Sequence, residues 1–272
     1  MVATAQVLLS SPLVKVSDFT CHRPKSEGEC ERSDPMSSVT IMRRGVHAYH
    51  ARGQVALAEA GLALLYRGDE PYCLSHPYDR DVPDRSTCIE FDTALLWEAF
   101  GTNKLERDLG VHLSPSTQLL TRQVMSALSV NDSGRLASEE MVLGLIQAIV
   151  RDFDLARRDP HVPSAARRRV ARARAFIATK PEADHSLAEV AAAAACSPFH
   201  LARLFRRQTG MTIRGYRLRL RLLKALDALA DGATDLTGLA IRAGFSDHSH
   251  MTASFRKVFG STPSAFRKAV RS

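Results

Sequence analysis

Cationic side chains recur at a fixed spacing near the end of the sequence. Arg206-Arg207 is followed fifty positions later by Arg256-Lys257, and the same shift brings His200 onto His250, Phe205 onto Phe255, Gly210 onto Gly260, Thr212 onto Thr262 and Arg217 onto Arg267. Leu201 with Met251 and Tyr216 with Phe266 are conservative matches. Guanidinium and ammonium groups bind phosphate, and a guanidinium can also bond the O6 and N7 edge of guanine. The chemistry that suits this pattern is recognition of a polyanion at two places. The elements that must position these groups are helices. Each copy reads as a short apolar helix, a tight break (195–197 and 243–246) and a second helix bearing charges, which is a helix-turn-helix. Helices are expected at 167–179, 187–194, 198–209, 213–230, 236–243, 248–258 and 263–270. Pro198 and Pro263 fall where a first helical turn tolerates proline, and Gly210, Gly232, Gly244 and Gly260 fall where left-handed caps would end helices. The helix at 213–230 would be about 27 Å long. It could space two readers along a duplex whose major groove returns roughly every 34 Å.

The charge is unevenly distributed. Residues 165–272 carry 20 Lys+Arg against 7 Asp+Glu, a net of +13, whereas the first 164 carry 17 against 22, a net of −5. A basic part that meets a polyanion is thus joined to a mildly acidic part with another task. The chain is 45% hydrophobic and 24% charged, which excludes collagen-like, disordered and disulfide-scaffold classes. No stretch approaches the ~18 uncharged apolar residues of a membrane span, so no membrane partner is expected. The opening residues lack the basic start of a secretory signal, and five cysteines fit a reducing cytoplasm better than a disulfide framework.

The acidic part changes character along its length. Short segments at 38–42, 55–58, 62–66 and 88–91 are separated by Gly45, Gly53, Gly61, Gly68, Pro71, Pro77 and Pro83, the pattern of a barrel or sandwich. From Thr93 the period becomes helical: Leu95, Leu96, Ala99 and Phe100 fit one face, Leu119, Leu120, Val124, Ala127 and Leu128 another, and Met141, Leu145, Ile146, Ile149, Val150 and Phe153 a third. Pro160 and Pro163, set among charges, mark a linker.

The basic part resembles the DNA-binding domain of AraC/XylS-type transcription regulators. The residues that carry the resemblance are Leu187-Ala188-Glu189-Val190-Ala191, Ser197-Pro198-Phe199-His200-Leu201-Ala202-Arg203-Leu204-Phe205-Arg206-Arg207 and Thr209-Gly210-Met211-Thr212. The second copy adds Leu239-Ala240-Ile241-Arg242-Ala243-Gly244-Phe245-Ser246-Asp247 and Phe255-Arg256-Lys257-Val258-Phe259-Gly260-Ser261-Thr262-Pro263-Ser264-Ala265-Phe266-Arg267. The resemblance implies that Phe199, Ala202, Arg203, Arg206 and Arg207 face DNA, with Arg203 reading a base and Phe199 meeting a thymine methyl. In the second copy His248, Ser249, His250 and Ala253 take the corresponding outward positions, with Arg256 and Lys257 on phosphates. Ala202 and Ala253 depart from the family, which often places a larger polar residue there. Arg214, Arg217, Arg219 and Arg221 are further candidates for phosphate contacts, while Leu201, Leu204 and Phe205 read as core.

Arg43-Arg44-Gly45-Val46, Arg67-Gly68-Asp69-Glu70-Pro71-Tyr72 and Ser75-His76-Pro77 resemble the sensor half of the same family, a cupin-like barrel followed by dimerisation helices. The expected fold is therefore α+β: an N-terminal cupin-like β-barrel with dimerisation helices and a C-terminal all-α domain with two helix-turn-helix motifs. The expected divisions are 1–92 sensor, 93–158 helical dimerisation segment, 159–166 linker and 167–272 DNA-binding domain. A barrel mouth suits a small-molecule effector, with Arg43, His47, Tyr49, Tyr72 and His76 as candidate lining. His47 and His50 lie three apart on a strand and point to opposite faces, which argues against a chelating pair and a catalytic metal. Cys21, Cys30, Cys73 and Cys88 could form a zinc or redox site, or simply be small buried residues. The sequence thus points to a cytoplasmic, homodimeric regulator of activator type. It would bind double-stranded DNA, respond to an effector and have RNA polymerase as a candidate partner, with neither catalysis nor a cofactor. Two alternatives are a redox- or metal-responsive regulator using those cysteines and a cupin-type enzyme fused to a DNA-binding module. A third is a sequence-independent architectural binder.

Overall fold

In a computed structural model the residues described are 3–22, 25, 34–78, 83–92, 94, 109–130, 134–156 and 164–270. The N-terminal strands are β1 (Ala3–Ser10), β2 (Val14–Cys21), β3 (Ser37–Arg44), β4 (Val46–Ala51), β5 (Gln54–Glu59), β6 (Leu62–Tyr66), β7 (Tyr72–Ser75), β8 (Asp84–Phe91) and β9 (Gly110–His112). They form a six-stranded sheet, in the order β1-β2-β8-β3-β6-β9, and a three-stranded sheet, β5-β4-β7. The expected cupin-like barrel is thus two sheets whose hydrogen-bonded order does not close among the described strands. Alternation sets which face is buried. Val14 and Val16 of β2 and Thr87, Ile89 and Phe91 of β8 point inward, and antiparallel pairing places Val16 opposite Ile89 and Val14 opposite Phe91.

Helices α1 (Pro115–Val130) and α2 (Arg135–Leu155) cover that face. Val124, Met125 and Leu128 of α1 and Val142, Leu145, Ile146 and Ile149 of α2 share one apolar cluster with the strands. Two expectations are corrected here. The segment 93–158 is not wholly helical: β9 pairs with β6, Leu62 opposite His112. Three residues are too few to display a two-residue period. The linker 159–166 is too long at its end, because α3 (Ser164–Thr179) already includes 164–166; Ala165 and Ala166 are strong helix formers and extend it backward. The helical face expected at Leu95, Leu96, Ala99 and Phe100 lies outside the described residues.

The C-terminal half is helical: α4 (Leu187–Ala193), α5 (Pro198–Thr209), α6 (Ile213–Ala230), α7 (Leu236–Arg242), α8 (His248–Phe259) and α9 (Pro263–Ala269) follow α3. The central element is α6. Leu220, Leu222, Leu223, Leu226 and Leu229 are all buried, covering more of its circumference than an ordinary amphipathic stripe. One apolar cluster runs through Val190, Leu201, Phe205, Tyr216, Met251, Phe255 and Phe266, and Leu119 of α1 packs against it. Both helix-turn-helix units and the spacer therefore share a core.

Phe205 and Phe255 are fully buried, so truncating either leaves a cavity in that core. Phe255→Ala is expected to lower the unfolding free energy by about 3–5 kcal/mol. Urea denaturation followed by circular dichroism measures it, and a loss below about 1 kcal/mol would contradict the shared core.

Candidate nucleic-acid interface

Local signals fix where α5 and α8 begin and end. Ser197 Oγ accepts the His200 N–H at 3.3 Å, and Asp247 Oδ1 accepts the His250 N–H at 2.7 Å. Each is an N-cap that satisfies one of the first free amides. Gly210 at φ 71° and Gly260 at φ 76° terminate the two helices in the left-handed region, where a side chain would be strained. Leu201 and Phe205 of α5 and Met251 and Phe255 of α8 stand four apart and are fully buried, which fixes the rotation of each helix. The opposite face is turned outward.

Phe199 is 79% exposed, and Ala202, Arg203, Arg206 and Arg207 are exposed with it. On α8, Ser249, His250, Ala253, Arg256 and Lys257 are exposed, while His248 is half-buried. Arg203 forms no ion pair among the described residues. The histidines are partly held by their own helix. His248 Nε2 lies 3.3 Å from Thr252 Oγ1, and His250 Nδ1 lies 3.2 Å from Ser246 Oγ with its ring edge-to-face on Phe245. Arg206, Arg207, Arg256 and Lys257 occupy the last turns, where cations also suit the helix dipole.

The two units differ in their turns. The Cys196 N–H bonds the Ala191 carbonyl, and the Phe245 N–H bonds the Ala240 carbonyl, an offset of 49 rather than fifty. Helix α4 ends at the Ala194 cap and α7 at the Ala243 cap, but the next N-caps are Ser197 and Asp247. The second turn is one residue longer. Ala195 takes the left-handed conformation in the first turn (φ 51°), and Gly244 takes it in the second (φ 87°).

Three of the arginines considered for phosphate are engaged elsewhere. Arg217 donates to the carbonyls of Ala183 and His185, at 3.3 and 3.2 Å. Arg221 donates to Pro181 and Glu182 carbonyls, at 2.7 and 2.9 Å, bracing the α3–α4 connection. Arg219 donates to the Leu113 carbonyl in the N-terminal half. Carbonyls of the connections outside the helices claim these side chains. Arg214 is exposed.

Behind the exposed faces lies a buried ionic junction between the halves. Asp227 of α6 is 3% exposed. Arg122 Nε of α1 lies 3.2 Å from its Oδ1, with Arg43 of β3 and Arg85 of β8 each at 3.8 Å. Arg43 and Arg85 also pair with Asp18, and Arg85 with Asp231. Burial pushes the Asp227 carboxyl up, but Arg122, Arg43 and Arg85 pull it down further and hold it below the ordinary aspartate range. Burial lowers Arg122 to about 10. A second junction centres on Glu59 at the end of β5, which is fully buried. It pairs with Arg174 of α3, accepts the Tyr216 hydroxyl at 2.8 Å and lies 3.3 Å from His112 Nε2. The sequence reading missed Asp227 and Glu59. The available signal for Asp227 was a carboxylate set among Leu223, Leu226 and Ala230 on an apolar helix.

The candidate effector residues are placed as follows. Arg43 belongs to the Asp227 junction. Tyr49 is buried among the rings of Tyr66 and Tyr72, at centroid distances of 4.5 and 5.8 Å. The Tyr72 hydroxyl donates to Asp34 at 2.7 Å. His47 and His76 come together, ring centroids 5.9 Å apart. His50 turns away from them to Ser75 Oγ at 2.8 Å. Cys21, Cys73 and Cys88 lie on three strands, and Cys30 lies outside the described residues. Burial raises the Cys88 thiol to about 11, which makes it a poor ligand and nucleophile. Among the described residues, the one group of side chains gathered closely enough to hold a metal ion contains none of Cys21, Cys73 and Cys88.

Residues 190–269 match the family model described as a helix-turn-helix domain. The regulatory protein Ada of Salmonella typhimurium is 41% identical over 87 residues, which is 32% of this chain and 24% of that protein. The transcriptional activator RhaS of Escherichia coli is 37% identical over 90 residues, 31% of this chain and 32% of that protein. The chain thus matches a third or less of these relatives' lengths. Among solved structures, ToxT of Vibrio cholerae aligns over 94% of this chain and 98% of its own, at 8% identity and a TM-score of 0.37. No helix among the described residues is long and apolar enough to cross a membrane.

Because Asp227 titrates lower in the folded chain than in the unfolded one, its contribution to stability is complete above about pH 4 and is lost as the pH falls through the depressed folded value. Asp227→Ala leaves three guanidinium groups facing an empty carboxylate position and is expected to cost about 3–5 kcal/mol at neutral pH. Urea unfolding of wild type and variant across the acid range checks both statements. The difference should shrink toward low pH, and a difference that grows there would contradict the assignment.

Proposed function

We propose that this chain, whose residues 190–269 match a helix-turn-helix family model, is a sequence-specific DNA-binding transcription regulator of AraC/XylS type governed by an effector in its N-terminal half. The observation that carries the reading is the matched pair of exposed faces on α5 and α8, anchored through one core to the buried spacer α6. An α-helix fits the major groove, and α6, at 18 residues, is about 27 Å long, the same order as the groove's repeat. Arg203 reads a guanine edge and Phe199 packs on a thymine methyl. Ala202 and Ala253 offer only methyl contacts. His248, Ser249 and His250 address the second segment. Arg206, Arg207, Arg256 and Lys257 hold phosphates, which fix register without specifying sequence.

Control runs through the junctions. An effector that binds near His47, Tyr49, Tyr72 and His76 would favour one arrangement of β3, β5 and β8. Those strands hold Asp227, Tyr216 and Arg174 of the DNA-binding half through Arg43, Glu59 and Arg85. An effector shifts the population of DNA-competent chains by its differential affinity for the two arrangements. The chain works in the cytoplasm as a homodimer, by binding rather than catalysis, and RNA polymerase is its partner at an activated promoter. The groove lined by Leu120, Ala127, Met141 and Gly144 between α1 and α2 is the proposed dimer seam.

Selection of bound sites from random DNA, followed by gel-shift titration on a panel of single-base variants, tests the assignment. Arg203→Ala is expected to cost about 1–3 kcal/mol on the selected site and to relax preference at one base pair. Lys257→Ala is expected to weaken all sites about equally and to reduce the salt slope by about one. Equal loss on every site for Arg203→Ala would remove its reading role, and failure to enrich any sequence would remove the regulator reading.

A further inference from the structure

The seam between the two N-terminal sheets holds a group of side chains with metal-ligating chemistry. His47 of β4, His76 immediately beyond β7 and Asp84 at the start of β8 each place one ligand atom within 4.8 Å of the other two. All three are buried, at 8%, 4% and 3% exposure. His76 Nε2 lies 3.4 Å from Asp84 Oδ2. Metal bonds of about 2.0–2.1 Å at tetrahedral angles would set two such atoms about 3.3–3.4 Å apart. The backbone supports the arrangement. Asp84 Oδ1 accepts the Val46 N–H at 3.3 Å, and Gly45 packs so closely on the Asp84 carboxylate that a Cβ there would collide with it. Gly45 at φ 92° turns the chain between β3 and β4 and brings His47 to the carboxylate. Cys21 stands directly across from Asp84 in the β2–β8 ladder, its Sγ 3.8 Å from His76 Nε2.

We infer that His47, His76 and Asp84 bind a divalent transition-metal ion of the zinc class. An ion pair alone accounts for less of the geometry. It engages only one imidazole, through His76 Nε2. It also gives the second imidazole no reason to stand at the same carboxylate. Two imidazoles and one carboxylate form a set of intermediate softness that suits zinc or iron(II) and not magnesium. A dication balances the buried carboxylate and leaves a coordination position open beside Cys21. The sequence hid the set because its members lie on separate elements, and His47 and His50, the pair visible at close spacing, face apart. The inference shares His47 and His76 with the effector region of the regulatory reading but is tested apart from it, since uptake is measured without DNA.

The test uses the full chain, stripped with a chelator and titrated with Zn(II) against a chromophoric competitor, with Mg(II) in a parallel arm. One equivalent of Zn(II) and no Mg(II) are expected. His76→Gln and Asp84→Asn should each weaken zinc binding by at least about 100-fold, as loss of a direct ligand exceeds the 10–100-fold cost of an outer-shell change. His50→Gln should bind as wild type, and circular dichroism reports whether each variant is folded. X-ray absorption at the zinc edge of the wild type should show two imidazoles. Absence of uptake, uptake that both ligand variants retain, or a coordination shell without imidazole would each overturn the inference, the last needing no variant to fold.

Discussion

The side chain of Asp227 leaves α6 into a space where three guanidinium groups converge, Arg43 and Arg85 from the N-terminal sheet and Arg122 from α1. Removing a carboxylate from water costs several kcal/mol, which is repaid only where charges and donors surround it closely. The surrounding groups come from β3, β8 and α1, so the carboxylate is stable only when those elements are assembled against α6. Since α6 also joins the two helix-turn-helix units, the constraint that closes the junction also sets the platform on which the exposed faces of α5 and α8 stand. Glu59 repeats the arrangement from the other direction: an N-terminal carboxylate buried under Arg174 and Tyr216 of the C-terminal half.

This division of labour changes how the charge of the basic half is understood. Its excess of cations is not one polyanion-binding surface. Arg174 is spent on Glu59, Arg219 on the Leu113 carbonyl, and Arg217 and Arg221 on the carbonyls between α3 and α4. The cations on the exposed face are fewer and lie on α5 and α8: Arg203, Arg206, Arg207, Arg256 and Lys257. Composition therefore overstates the number of cations free to meet a polyanion. Arginine suits both uses, since its planar fork serves a carboxylate, a carbonyl or a phosphate equally well.

What could be read from the sequence follows the range of the interactions. Helices α5 and α6 begin and end where expected, because Ser197, Pro198, Gly210 and Thr212 act on amides within one turn. The repeat made the exposed face legible because Leu201, Phe205, Met251 and Phe255 all point inward in the same way. The one-residue difference between the turns shows in the breaks at 195–197 and 243–246, although the overlay at fifty hides it, since the matched residues lie in and beyond α5 and α8. The N-terminal half was read less well. Its short strands show little period, β9 is three residues long, and the barrel implied by resemblance is a pair of sheets. Asp84, Asp227 and Glu59 depend on partners between 8 and 184 positions away, such as His76 and Arg43. No local pattern records those meetings.

The two junctions and the histidine–carboxylate group share one frame, and this bears on how a signal could pass. Arg43 is the penultimate residue of β3, which turns through Gly45 into β4, and His47 lies just beyond that turn. Arg85 is the chain neighbour of Asp84. On both β3–β4 and β8, a residue of the buried cluster is thus within four positions of a residue that grips Asp227. A change in the distance between His47 and Asp84 would move Arg43 and Arg85 relative to one another, because strand backbones paired over β3–β8 do not stretch. Both guanidinium groups stand 3.8 Å from Asp227, at different oxygens, so that relative movement acts on both sides of a single carboxylate on α6. Close-packed interiors respond to such displacements by exchanging one arrangement for another rather than by gradual deformation. Any such exchange would reach α6, which shares one core with both α5 and α8.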